Sequence, residues 1–160
     1  MNPRFPNEHL YFGKAGHLFV MSEFLLRGWN VAIPEVDVGD DIFVVKDFNG
    51  ELVRVQVKTS KAIYLKNGGY TAQFKLSLKQ LRDSIKEISY VFIVRETDSW
   101  NRPIIIDQQT LLGLYENQSI GSQYKDNLTL RLNFKNGKVT NKNINLTEYQ
   151  NNFEDFIIET

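Results

Sequence analysis

Residues 41–60 read DIFVVKDFNGELVRVQVKTS. Two runs rich in β-branched and aromatic residues flank Asn49-Gly50, a dipeptide that signals a two-residue hairpin turn. With those two residues as the turn, Phe48 pairs with Glu51 and every later pair of residue numbers sums to 99. Asp41 is then expected opposite Lys58, and Phe43 opposite Gln56. Side chains alternate faces along a strand. One face therefore carries Ile42, Val44, Val53, Val55 and Val57, all apolar, and points to a core. The other carries Asp41, Phe43, Val45, Arg54, Gln56 and Lys58. Three polar groups of different chemistry meet at the open end of the hairpin.

That set has two readings. In the first, the Asp41 carboxylate and the Gln56 carboxamide oxygen are hard ligands suited to Mg²⁺, with the Val57 carbonyl as a third. Lys58 beside the ion would orient or help deprotonate a water and stabilise charge on a phosphate. In the second, the set is a half-exposed strand face with a cross-strand Asp–Lys pair worth ~0.2–1 kcal/mol.

Working outward, residues 13–27 have the apolar crowding of a helix, with Glu23 and Arg27 as an exposed i,i+4 pair and Gly28 as its stop. Residues 1–12, with two prolines, read as an N-terminal arm. Strands are expected at residues 29–33, 70–76, 89–95, 103–106, 128–134 and 138–140, the last two joined by Asn136-Gly137. Ser77 and Asp107 are candidate caps for helices running to about residues 85 and 115. Residues 146–158 read as a terminal helix, with Tyr149, Phe153, Phe156 and Ile157 on one face. This order predicts an α/β fold, a mixed β-sheet flanked by helices. It divides into an α/β core over residues 13–107 and a C-terminal strand and helix extension over 108–160, packed on that core.

Composition bounds the function. A chain of 160 residues with 42% hydrophobic and 24% charged residues is long enough to bury a core. The absence of cysteine removes thiol catalysis and cysteine-based zinc sites. No apolar run reaches the ~18 residues of a membrane span and no signal-peptide pattern opens the chain, so a cytoplasmic location and no membrane partner are expected. Net charge is zero, which argues against coating nucleic acid through bulk charge. The charge is unevenly spread, however. Residues 56–86 hold seven bases against one acid, whereas residues 145–160 hold four acids and no base. The basic stretch, interleaved with Tyr64, Tyr70 and Phe74, has the composition of a phosphate-tracking surface, or of a solvated lysine-rich face. Trp29 reads as core. Trp100, in a polar loop, is open to either packing or base stacking. No P-loop, GxGxxG, HExxH or GxSxG pattern occurs.

The stretch from residue 13 to 60, GKAGHLFVMSEFLLRGWNVAIPEVDVGDDIFVVKDFNGELVRVQVKTS, resembles the PD-(D/E)XK nuclease superfamily, with its restriction-endonuclease-like and Holliday-junction-resolvase-like fold. The family's helix followed by "GYxV" matches residues 13–31. Its "GxD" aspartate falls on Asp41, and its (D/E/Q)-x-K element on Gln56-Val57-Lys58, in the Gln variant. The resemblance implies a metal-dependent DNA endonuclease, in a defence, repair or mobile-element setting. Asp41, Gln56 and Val57 would hold Mg²⁺, Lys58 would stand at the attacking water, and a homodimer would complete the basic surface. Many relatives place a catalytic Glu where this chain has His17. On a helix, His17 shares a face with Val20, Met21 and Phe24, whereas Glu23 sits about 120° away and cannot replace the missing acid. His17 is thus read as a neutral metal ligand (favouring Mn²⁺), a proton carrier, or a core histidine of an inactive site. The competing function is an inactive nuclease-fold protein that binds nucleic acid or a protein partner.

Overall fold

The computed structural model describes residues 5–153. In chain order the elements are α1 (Glu8–Leu26), β1 (Asn30–Ala32), β2 (Ile42–Val45), β3 (Leu52–Lys61), β4 (Ile63–Tyr64), β5 (Tyr70–Ser77), α2 (Leu78–Leu81), β6 (Ile88–Arg95), β7 (Ile104–Asp107), α3 (Gln108–Gln118), β8 (Ser122–Tyr124), β9 (Asn127–Lys135), β10 (Lys138–Asn141) and β11 (Ile144–Asn145). A 3₁₀ turn follows at Thr147–Tyr149. The first sheet has the order β1-β2-β3-β6-β7, mixed because β3 and β6 run parallel while the other pairs are antiparallel. The second sheet is antiparallel, ordered β11-β10-β9-β5-β4, with β8 also on β9.

Strand β6 explains the layering. Its SYVFIVR run is apolar on both faces because both faces are covered. Tyr90, Phe92 and Val94 pack against Phe74, Leu76, Leu130 and Leu132 of the second sheet. Val91 and Ile93 pack with Val55, Val57 and Ile105 against Val20 and Phe24 of α1. The molecule is therefore a helix, a mixed sheet and a second sheet in three layers. Among the described residues, no helix is long and apolar enough to cross a membrane.

Several expectations need correction. α1 starts at Glu8, inside the segment read as an arm. β9, from the C-terminal part of the chain, pairs along the whole length of β5. The Ser77 cap forms, its hydroxyl accepting from the Gln80 N–H, but α2 stops after one turn. The buried Gln108 side-chain nitrogen sits 2.7–3.0 Å from the carbonyls of Gln80, Leu81 and Asp83, taking over the acceptors that a longer helix would have used. The expected terminal helix is replaced over residues 147–153 by the 3₁₀ turn and irregular chain, and the rest of it, with Phe156 and Ile157, lies outside the described residues.

The two Asn-Gly turns part company. Asn136 and Gly137 both have positive φ (52° and 72°) and form the expected two-residue turn between Lys135 and Lys138. In the first hairpin only Gly50 is positive, and the loop is Asp47–Gly50, with the Lys46 N–H bonded to the Glu51 carbonyl. Pairs therefore sum to 97, with Ile42 opposite Val55 and Phe43 opposite Arg54. The loop is held by Asn30 Nδ2, which donates to Asp47 Oδ1, and by the buried Lys46, whose ammonium lies 4.5 Å from the Trp29 ring centre. A two-residue slip keeps every side chain on its face, so the apolar pattern alone does not distinguish the registers.

Gly16 sets the distance between α1 and the first sheet. A Cβ there would overlap the Thr59 methyl of β3 and come within 3.0 Å of Ile93 Cδ1. Gly16→Ala should therefore cost ~1–3 kcal/mol by overpacking, read from the denaturation midpoint. Gly13→Ala, one turn earlier with nothing within 4 Å, should be neutral or slightly stabilising.

Candidate active site

The site forms where β2 begins and β3 continues past it. Gly39, at φ 105°, turns the chain into β2, and its carbonyl accepts from Gln80 Nε2 at 2.9 Å. The Asp41 N–H then bonds the Val55 carbonyl at 2.9 Å. Beyond that point β3 has no β2 partner, and the Asp41 carboxylate fills the gap. Its Oδ2 accepts from the Val57 N–H at 2.7 Å and from Gln56 Nε2 at 2.7 Å. His17, one residue after the close approach at Gly16, brings Nε2 to 3.6 Å from the same oxygen. All three contacts fall on Oδ2 and none uses Oδ1.

Burial governs the charges. It pushes the Asp41 carboxyl above its ordinary pKa, opposed by His17 and by the Val57 N–H. It pushes the His17 imidazole down, opposed by Asp41. The Lys58 ammonium is also lowered by burial, with the Asp41 charge opposing. Asp41 and Lys58 are thus moved toward neutral pH, whereas His17 is moved further below it and favours its neutral form.

Asp41, Gln56, Lys58 and His17 are thereby brought together, although the register places Gln56, not Lys58, across from Asp41. The chain before β2 is not a strand, and the buried Asp40 carboxylate pairs with Arg54 at 2.9 Å. Within the basic stretch, Lys61 bonds Glu8 at 2.8 Å, Arg82 lies over the Tyr115 ring, and Lys75 points outward from β5. Trp29 is core, and Trp100 is stacked between Phe12 and Phe19.

Sequence reasoning missed Gln80 and Tyr90. Gln80 Nε2 also donates to Gln56 Oε1 at 3.2 Å, and Gln80 Oε1 accepts from the buried Tyr90 hydroxyl at 3.1 Å. This chain of amides fixes Gln56 with its nitrogen, not its oxygen, toward Asp41. No local signal marks Gln80, which sits in a single helical turn.

The donor set bears on a metal. Among the described residues no three His, Cys, Asp or Glu side chains gather as a cage. Oxygen donors for a hard ion are nonetheless at hand. Asp41 Oδ1 is outside the three contacts above. The Val57 carbonyl projects to the same side of β3 as its N–H, as in any extended strand, and so toward Asp41. Gln56 Oε1 would join after reversal of its amide. That turns Gln56 Nε2 to Gln80, reverses Gln80 in turn, and removes the donor from the Gly39 carbonyl. One carboxylate with neutral oxygens fits Mg²⁺, which keeps several waters and draws further ligands from phosphate.

No family model and no curated protein sequence matches the chain. Solved structures do. A bacterial homing endonuclease, I-Ssp6803I, aligns with a TM-score of 0.54 at 16% identity, covering 90% of this chain and 88% of that one. A Holliday junction resolvase, Hjc of Archaeoglobus fulgidus, aligns with a TM-score of 0.44 at 14% identity, covering 74% and 82%. The fold is the restriction-endonuclease-like α/β fold.

Removing Gln80 should expose the amide chain energetically. Gln80→Leu leaves the buried Tyr90 hydroxyl and the Gly39 carbonyl without partners and should cost ~1–3 kcal/mol. Adding Tyr90→Phe should recover part of the loss, a non-additivity measurable by chemical denaturation of the two single variants and the double.

Proposed function

We propose that this chain is a metal-dependent endonuclease that hydrolyses phosphodiester bonds in DNA. The observation that carries the reading is the convergence of Asp41, Gln56, Lys58 and His17 at the start of β2, on a fold like that of a homing endonuclease. Asp41, the Val57 carbonyl and Gln56 would hold Mg²⁺, or Mn²⁺ if His17 ligates. Such an ion, when bound, neutralises charge on the scissile phosphate and acidifies a coordinated water. Lys58, its pKa lowered by burial, hydrogen-bonds the attacking water and moves a proton from it. The water oxygen bonds to phosphorus as the bond to the leaving oxygen breaks, and that oxygen takes up a proton from solvent water while the proton left on Lys58 returns to solvent. His17, neutral through burial, can accept or return a proton next to Asp41.

One observation favours a binding role without catalysis. His17 stands where many PD-(D/E)XK relatives carry Glu, which leaves Asp41 as the anion of the cluster.

Cleavage of plasmid, linear and branched DNA in Mg²⁺ or Mn²⁺ separates the two. Lys58→Ala should lower the cleavage rate by about 10²–10⁴-fold, the usual contribution of a positioned proton-transfer group, with the fold intact. His17→Glu should raise Mg²⁺-supported activity if a carboxylate is what the position lacks, and lower it if the imidazole works in the reaction. Equal inactivity of the wild type and both variants on every substrate and with either metal would leave the binding role.

A further inference from the structure

We infer that the outer face of the second sheet is a docking surface for double-stranded DNA, an inference that rests on the nuclease reading and extends it to how the substrate is held. The charge pattern carries it. No Asp or Glu occurs in any of the six strands β4, β5, β8, β9, β10 and β11, which carry Lys75, Arg131, Lys135 and Lys138. A chain of zero net charge has thus set aside one acid-free sheet. The inner face of that sheet is the core, formed by Ala72, Phe74, Leu76, Leu128, Leu130 and Leu132. Alternation therefore turns the polar set outward, and Gln73, Lys75, Arg131 and Lys135 are exposed.

The register arranges these side chains for a duplex. Gln73 lies opposite Arg131, and Lys75 opposite Thr129. Amides, hydroxyls and basic groups of this kind are the side chains that bond phosphate oxygens and base edges of a duplex. From the level of Lys75 to Lys135 is six residues along β9. At about 3.3 Å each this spans about 20 Å, or about six base-pair steps. Lysine-rich, amide-rich surface of this kind is the opposite of a protein–protein interface, whose centre is apolar and poor in lysine.

Strand β5 borders the proposed active site. The Gln73 N–H is bonded to Ser60 Oγ at 3.3 Å, two residues beyond Lys58 on the same face of β3. At the C-terminal end of β5, Ser77 caps α2, whose Gln80 bonds Gln56. Strand β5 is thus tied to the elements of the site at its middle and at its end, so DNA lying on its outer face is held near Asp41 and Lys58.

The test is fluorescence anisotropy of a labelled linear duplex with the full chain, in chelator and over a range of salt, for the wild type, Lys75→Ala/Arg131→Ala and Lys75→Glu/Arg131→Glu. The alanine pair should weaken binding roughly ten- to hundredfold and reduce the log–log salt slope by about 2, near 0.9 per lost phosphate contact. The glutamate pair should weaken it further. Melting temperatures should be unchanged, because both side chains are exposed. Unchanged affinity and slope in both variants would overturn the inference. So would a wild type that binds no duplex at low salt, or that binds double-stranded RNA as tightly as DNA. Cleavage in Mg²⁺ is read separately. Duplex binding that depends on Lys75 and Arg131, without cleavage, fails the nuclease reading and keeps the surface; cleavage with binding indifferent to both residues does the reverse.

Discussion

The interaction on which the site depends is the bond from the Val57 N–H to Asp41 Oδ2, formed where β2 begins and β3 runs on. A strand that outlasts its neighbour leaves backbone donors and acceptors unpaired, which is costly unless something fills the gap. Here a carboxylate fills it. One oxygen satisfies the Val57 N–H and the Gln56 amide, and the charge is thereby fixed beside the open edge of a sheet. The partial burial of Asp41, His17 and Lys58 shifts all three away from their ordinary pKa values. The placement of the carboxylate is a consequence of one structural mismatch between two strands.

Two devices outside the motif hold that arrangement. Gly16 lets α1 lie against Thr59 and Ile93, so that His17 reaches Asp41. The sequence Tyr90–Gln80–Gln56–Asp41 joins four elements or their approaches through side-chain hydrogen bonds. Buried polar chains of this kind specify an orientation strongly, because a single reversed amide costs more than one bond. A metal held through Gln56 Oε1 would require such a reversal, which would couple its binding to the orientation of Gln80.

Much of this was legible in the sequence, for physical reasons. The β-branched alternation of residues 42–45 and 52–57 fixes which side chains share a face, and that survives a two-residue slip in register. Hence Asp41, Gln56 and Lys58 are brought together even though the pairing was misread. The turn itself was not legible, because Asn49-Gly50 is overruled by the tertiary contacts of Lys46 with Trp29 and of Asp47 with Asn30. The early stop of α2 depends on Gln108, distant in sequence, and the two-sheet architecture depends on the pairing of β5 with β9 across about fifty residues of chain. Gln80 was illegible for the same reason, since its partners are Gly39, Gln56 and Tyr90 and none lies within its own turn.

The Asp41 cluster is proposed to hold a metal ion, and anomalous scattering from a crystal of the chain grown with Mn²⁺ and a DNA duplex would locate it. The expected result is a peak at ligand distance from Asp41 Oδ1 and the Val57 carbonyl, with the Gln56 amide reversed and the peak lost in Asp41→Asn. Duplex bound beside Lys58 with no peak at Asp41, and with Gln56 still donating to Asp41 Oδ2, would contradict it.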